Sequence, residues 1–349
     1  MLRVENSRID RVKKKRRRKW LFRILTMCLI LFIGIGSYFG LQVWGALAKG
    51  HDESQGKSKL RDQEVEIKKD PFAILLIGSD QLTVKEEQEA WRPDVLMVAA
   101  INPKTNSIKL VSIPRDTYTK IANTNGHKDK INSAAYWGKE KGINPVTNTR
   151  ETVENLLGIP IDYYAKINFR GFMDVVNTLG GVDVNNKFYF KTTSFNSRVM
   201  RFPEGPQHLN GEQALAYVRM RKKDPEGDKG RNRRQQEVVQ QLTDKIISFE
   251  GITKFSELTE AVGRNFSYNF KVTEIPALQA VYNKSKGNLE TITVKTHPDK
   301  RNGIWYEILS EEEKQRIRDI LQKQMEWKPK DQNQETDQTE EDDSSGEGN

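Results

Sequence analysis

Pro71-Phe72-Ala73-Ile74-Leu75-Leu76-Ile77-Gly78-Ser79-Asp80 is the stretch whose reading decides the fold. An unbroken apolar run this short, ended by a glycine turn, reads as a strand buried on both faces rather than as one face of a helix. Two further runs follow, Val95 to Ile101 and Ser107 to Ile113. Between them Asn102-Pro103-Lys104-Thr105-Asn106 has turn chemistry, so the two are expected to pair as a hairpin. Helical spacing then appears at Ile131 to Gly138 and Thr147 to Leu157, followed by a strand at Tyr163 to Asn168. Phe172, Val175, Val176 and Leu179 recur at helical spacing up to the stop signal Gly180-Gly181, and Val182-Asp183-Val184 resumes extended chain. Helices are expected near Gly211 to Val218, Gly230 to Phe249, Ile275 to Tyr282 and Glu311 to Gln324, with strands near Thr291 to Lys295 and Ile304 to Leu309. Strands alternating with helices, plus the hairpin, predict an α/β domain with a mixed β-sheet flanked by helices in α-β-α layers.

Upstream of this domain the character changes. Lys13 to Lys19 is an unbroken basic run, and Ile24 to Ala48 is charge-free, with Trp20 and Trp44 near its ends. A helix of roughly 20 apolar residues crosses a bilayer, so one transmembrane helix is expected to precede the domain. The basic flank keeps the N-terminus cytoplasmic and sends everything after Trp44 outside. Ala46-Leu47-Ala48 resembles a peptidase site, but the apolar run is longer than the roughly 7–15 residues of a cleaved signal, which favours an uncleaved anchor. The organisation is therefore a basic cytoplasmic N-terminus (1–23), a transmembrane signal anchor (24–44), a juxtamembrane linker (45–70), an extracellular domain (71–327) and an acidic disordered tail (328–349).

Composition removes several function classes. The one cysteine, Cys28, excludes a disulfide framework and zinc sites that need several thiolates, and only four histidines are present. The net charge of +9 is no nucleic-acid footprint, because much of the excess belongs to the anchor, where topology and anionic lipid explain it. No nucleic-acid partner is expected.

Several charged residues fall where an α/β sheet binds ligands, outside the strand ends. Asp80 closes the first strand and Asp94 opens the second, with Arg92 beside it. Each aspartate alone reads more readily as a turn or capping residue than as a functional one, and the features that follow shift the balance. Ser112-Ile113-Pro114-Arg115-Asp116 sets a guanidinium and a carboxylate just past a buried strand, with a proline fixing the backbone; a structural Arg–Asp pair is the plain alternative. Asn210 and Gln213 form a plausible capping pair for a helix whose extended exit points Arg219 and Arg221 the same way. In the next helix Arg231, Arg234, Gln235 and Val238 share one face near an N-terminus that favours anions. Arg233 points away, and for it, Lys222 and Lys223 a solvated face remains open. Clustered guanidiniums suit a phosphate-rich ligand, and two carboxylates suit Mg²⁺ completed by substrate phosphate. This is the inventory of phosphoryl transfer, without a Walker-type loop.

Gly78-Ser79-Asp80, Arg92-Pro93-Asp94, Ser112 to Asp116, Lys130-Ile131-Asn132, Leu179-Gly180-Gly181-Val182, Arg219-Met220-Arg221 and Asp228 to Gln235 resemble, in order, the motifs of the LytR-CpsA-Psr proteins. The resemblance spans roughly Phe72 to Leu242. It departs at Pro93, where a small residue is usual, and at Gly138-Lys139, where Gly-Gly is frequent. It implies a membrane-anchored, Mg²⁺-dependent phosphotransferase of a Gram-positive bacterium. Such an enzyme moves a glycopolymer, such as wall teichoic acid or capsule, from undecaprenyl pyrophosphate to the 6-hydroxyl of muramic acid in peptidoglycan. The polyprenyl tail is then expected in an apolar tunnel between sheet and helices. Carried onto matching positions, Asp80 and Asp94 resemble the metal ligands. Arg92, Arg115, Arg219, Arg221, Arg231 and Gln235 resemble the pyrophosphate-binding set, and Asp94 or Asp116 the acceptor of the hydroxyl proton. Two other readings share this inventory: a hydrolase that sends the same lipid pyrophosphate to water, and a non-catalytic envelope regulator that senses polyprenyl phosphates.

Overall fold

The computed structural model describes residues 58–81, 91–194, 196–221, 223–247 and 265–329. The basic N-terminus, the expected transmembrane anchor and residues 330–349 of the acidic tail lie outside the described residues. Among the described residues no helix is long and apolar enough to cross a membrane.

Chain order begins with strands β1 (Phe72–Ser79), β2 (Pro93–Asn102), β3 (Ser107–Ser112), β4 (Tyr118–Lys120) and β5 (Lys128–Lys130). Helices α1 (Ala134–Glu140) and α2 (Pro145–Leu157), strand β6 (Tyr163–Asn168) and helix α3 (Phe169–Thr178) come next. Then follow β7 (Val182–Asn186), β8 (Phe190–Thr193), β9 (Val199–Phe202), β10 (Gly205–Leu209), α4 (Gly211–Arg219) and α5 (Asp228–Ile247). The chain continues through β11 (Phe266–Tyr268), α6 (Ile275–Ser285), β12 (Leu289–Ile292), β13 (His297–Arg301), β14 (Ile304–Ile308) and α7 (Glu311–Met325).

A six-stranded sheet in the order β11-β6-β1-β2-β3-β12 forms the centre. The apolar runs that announced β2 and β3 pair antiparallel as a hairpin, and β1 pairs antiparallel with β2 on one side and parallel with β6 on the other. The sheet is therefore mixed, as the hairpin within an alternating strand–helix pattern predicts. On one face Ala73, Leu75 and Ile77 of β1 join Leu96 and Val98 of β2 in a core closed by Val153 and Leu157 of α2 and Ile317 and Leu321 of α7. Each fully buried aliphatic side chain of this kind contributes about 1.5–3 kcal/mol.

The opposite face of β1 departs from the expected full burial. Ile74 and Leu76 stay half-exposed because helices α3, α4, α5 and α6 arch over that face without touching it everywhere. The apolar run is dictated here by a cavity wall as well as by a packed core. Of the small antiparallel pairs, β4–β5 and β8–β9 left no clear sequence signal, being only three or four residues per strand, whereas β7 is the extended chain expected at Val182 to Val184.

The second half of the expected linker lies against the domain. Arg61 Nε is 2.6 Å from Asp162 Oδ1, its Nη2 donates to the Pro71 carbonyl at 2.8 Å, and its guanidinium stands 5.7 Å from the Trp327 ring centre. Ile67 is buried in a cluster with Phe72, Ile101 and Tyr163.

Candidate active site

The helices over the sheet enclose a cavity of about 950 Å³. Ile74, Leu76 and Met97 form its floor, and Phe172, Leu215, Val238, Leu242, Leu278 and Tyr282 its roof. Charged and polar groups gather where β1 ends and β2 begins: Asp94, Arg115, Arg219, Arg221, Arg231 and Gln235 all line the cavity. These residues come from separate motifs, and the topology brings them to one opening.

Local rules explain each placement. Gly78 pairs with Val95 and Ser79 with Pro93, so Asp94 is the extra residue of a β-bulge between the two strands. A side chain at Gly78 would stand 3.0 Å from Val95 Cβ, so the glycine permits the close approach at the bulge. Pro93 sits at the first position of its strand, where a missing N–H is tolerated. Helix α4 opens with a capping box in which Asn210 and Gln213 exchange hydrogen bonds of 3.0 Å. It ends at Met220, whose extended backbone (φ −62°, ψ 130°) turns Arg219 and Arg221 to the same cavity. Arg219 lies 4.5 Å from the centre of the Phe169 ring, a cation–π contact.

The carboxylates divide. Asp94 Oδ1 accepts from Arg115 Nη1 at 2.5 Å. Asp116 accepts from Lys130 Nζ at 2.7 Å and lies 3.6 Å from Arg115 Nε. Burial pushes the Asp116 carboxyl up, but Lys130, Arg115 and Arg221 outweigh it and hold the group below the usual carboxylate range. Asp80 behaves in the opposite sense. Desolvation first and the charge of Asp94 second raise it above the ordinary value, against the Arg92 backbone N–H and the Arg219 charge. Asp80 and Asp94 thus stand close enough to repel each other. Among the described residues no group of three or more His, Cys, Asp or Glu is arranged to hold a metal. A carboxylate pair beside guanidiniums suits a hard cation that takes its remaining ligands from phosphate and water.

Not every expected residue reaches the cavity. Asp80, Arg92 and Asp116 are not part of its lining. Arg92 is exposed, and its backbone N–H serves Asp80. The bulge and Pro93 account for this departure from the expected phosphate set, because they turn Asp94 inward and leave Arg92 outside the strand. Asp116 is drawn aside by Lys130. Arg234, placed by helical spacing on the same face as Arg231, is instead a buried strut. Its Nη1 donates to Asp224 Oδ2, its Nη2 to the Met220 carbonyl and its Nε to the Tyr217 carbonyl at 3.0 Å. The first turn of α5 meets this same Asp224, since a side chain at Gly230 would collide with its carboxylate. The chain's own anion therefore occupies ground near the helix N-terminus that the sequence reading reserved for a ligand.

Other residues were missed. Lys191 and Lys223 line the cavity, and Lys223 Nζ donates to the Lys191 carbonyl at 3.0 Å, so Lys223 does not belong to a plain solvated face. Gln236 Nε2 donates to Ser112 Oγ at 2.9 Å, and Gln235 Nε2 to the Val218 carbonyl at 3.3 Å. The i, i+1 pair Gln235-Gln236 beside Arg231 was the available signal, read only for its first member. Arg233 pairs with Glu226 on the exposed side, as expected.

The chain has known relatives in both sequence and fold. The LytR_cpsA_psr family model matches residues 37–323. The chain is 39% identical over 300 residues to the polyisoprenyl-teichoic acid–peptidoglycan teichoic acid transferase TagU of Bacillus subtilis, covering 84% of this chain and 92% of that protein. The crystal structure of B. subtilis TagV superposes with a TM-score of 0.63 at 37% identity, over 75% of this chain and 100% of that one. A structure described as TagT bound to LIIa-WTA superposes with a TM-score of 0.63 at 29% identity, over 79% of this chain and 99% of that one.

Proposed function

This chain belongs to the LytR_cpsA_psr family, and from that membership we propose that it is a phosphotransferase of the cell envelope. In this reading it moves an anionic glycopolymer, teichoic acid or a polymer of the same chemistry, from a polyisoprenyl pyrophosphate carrier to the 6-hydroxyl of muramic acid in peptidoglycan. One observation carries the reading: an apolar cavity between sheet and helices whose opening gathers Arg115, Arg219, Arg221 and Arg231. A hydrocarbon tail fits the first part and a diphosphate the second.

In the proposed reaction the acceptor oxygen attacks the phosphorus next to the sugar. The bond from that phosphorus to the polyprenyl phosphate oxygen breaks, and the leaving group keeps the electron pair. Arg219, Arg221 and Arg231 meet its developing charge. Asp94 takes the hydroxyl proton, since it lines the cavity while Asp116 is engaged by Lys130. Arg115 holds Asp94 through Oδ1, which leaves Oδ2 for the proton. Asp80 and Asp94 would hold Mg²⁺, which supplies further neutralisation of phosphate charge. Residues 24–44 would anchor the chain, with the N-terminus cytoplasmic and the domain outside.

The test incubates the purified chain with a synthetic lipid-pyrophosphate glycan, peptidoglycan oligomer and a Mg²⁺ titration, followed by mass analysis of products. Glycan joined to muramic acid is the expected product. Release of glycan phosphate to water alone, with peptidoglycan present, overturns transfer in favour of hydrolysis. An unchanged Mg²⁺ titration in Asp80→Ala overturns Asp80 as a ligand.

A further inference from the structure

The β8–β9 hairpin carries a face that none of the chemistry above uses. Its register pairs Phe190 with Phe202, Lys191 with Arg201, Thr192 with Met200 and Thr193 with Val199. Phe190 and Phe202 point inward and stack at 4.7 Å in the core over α4. By strand alternation the other face consists of Lys191 and Thr193 on one strand, with Tyr189 just before it, and Val199 and Arg201 on the other. All are exposed, Tyr189 by 58% and Val199 by 62%.

Two features of this face call for a partner. Like charges directly opposite in an antiparallel pair are destabilising, yet Lys191 faces Arg201, and among the described residues neither meets a carboxylate within salt-bridge distance. Tyr189 and Val199 flank this cation pair on either side, an arrangement that free solvent does not favour and that an anionic lipid interface does. There basic side chains meet headgroup phosphates, while Tyr and Val enter the boundary between headgroups and acyl chains. The face is also continuous with the cavity, because Lys191 and Thr193 are among the residues that line it and Lys223 is tied to Lys191.

We propose that the outer face of the β8–β9 hairpin rests on the anionic bilayer surface and holds the cavity opening against it, so that a lipid-linked donor passes into the cavity without crossing open water. The inference rests on the lipid-linked donor of the proposed function. It commits to lipid rather than to the polymer because exposed apolar side chains, Tyr189 and Val199, flank the cation pair on either side.

The test uses the full chain in phosphatidylglycerol proteoliposomes. A nitroxide at V199C, in a C28S background that removes the one native cysteine, is expected to be relaxed more by oxygen than by a polar nickel reagent. A label at K120C, an exposed position on β4, should show the reverse. In parallel, Y189S/V199S/R201Q is expected to raise KM for a donor embedded in those vesicles by on the order of tenfold. KM for a short-chain, water-soluble donor with the same glycan should not change. A water-exposed label at 199, or an unchanged KM for the embedded donor, overturns the proposal. So does a rise in KM for both donors, which would assign the face to the glycopolymer. If the wild type transfers neither donor, the transferase reading fails, and the label alone decides the membrane contact.

Discussion

Gln236 Nε2 donates a 2.9 Å hydrogen bond to Ser112 Oγ, joining the helix that carries Arg231 and Gln235 to the strand that leads to Arg115. The two halves of the cationic opening come from segments far apart in sequence, and this bond spans them directly. Gln236→Leu is expected to lose about 1 kcal/mol of stability, a fall in Tm of roughly 2–4 °C. Transfer should fall further than so small a destabilisation explains, with KM for the donor rising more than kcat drops. Scanning calorimetry and steady-state kinetics give both values, and unchanged kinetics would remove the bond from the account of the site.

Arg115→Ala should lower transfer by roughly 10²–10³, the scale of one lost oxyanion donor, with folding intact by circular dichroism. Arg115→Lys should recover little, because one ammonium cannot hold Asp94 and a phosphate oxygen in the fork geometry of a guanidinium. Near-wild-type turnover in either variant would contradict the role given to Arg115.

Arg234→Ala is expected to behave differently. Its guanidinium is 3% exposed against a fully buried Asp224, so removing it strands a carboxylate in the interior. The cost is about 3–5 kcal/mol, read from urea denaturation. A variant that unfolds at the wild-type urea midpoint but does not bind donor would place Arg234 in the ligand site instead.

A pH effect follows from Asp162. Burial raises its carboxyl to about 6, against the opposing charge of Arg61 and the Ala73 N–H. A group whose folded value exceeds its unfolded value contributes stability that is complete below the unfolded value, near 3.8, and is lost as pH rises through about 6. At about 1.36 kcal/mol per unit the loss reaches about 3 kcal/mol across that window. Asp162→Asn should flatten this slope in urea midpoints measured from acid to neutral pH, whatever its absolute stability. Parallel slopes in the two proteins would assign the titration elsewhere.

Much of this could be read in advance, for reasons that differ by element. The strand Tyr163–Asn168 and the helix Gly211–Arg219 were legible because apolar periodicity and a capping pair specify them locally. Arg219, Arg221 and Arg231 were legible as a set because so many guanidiniums in two adjacent segments need a common anion. Arg92 stands outside the cavity lining and Arg234 is a buried strut, because spacing gives the face of an element but not what competes for it. A bulge displaced the first, and Asp224 with two backbone carbonyls captured the second. Lys191 and Gln236 depend on contacts between residues far apart in sequence, about which local pattern says nothing.

The bulge at Asp94 sets regularity against reactivity. Deleting one residue between Pro93 and Val95 would let the two strand ends zip into an uninterrupted ladder, and the sheet would gain a hydrogen-bonded pair. The same repair would erase the inward carboxylate and with it the proposed acceptor of the proton, so on that reading a better-formed sheet here would be a worse enzyme.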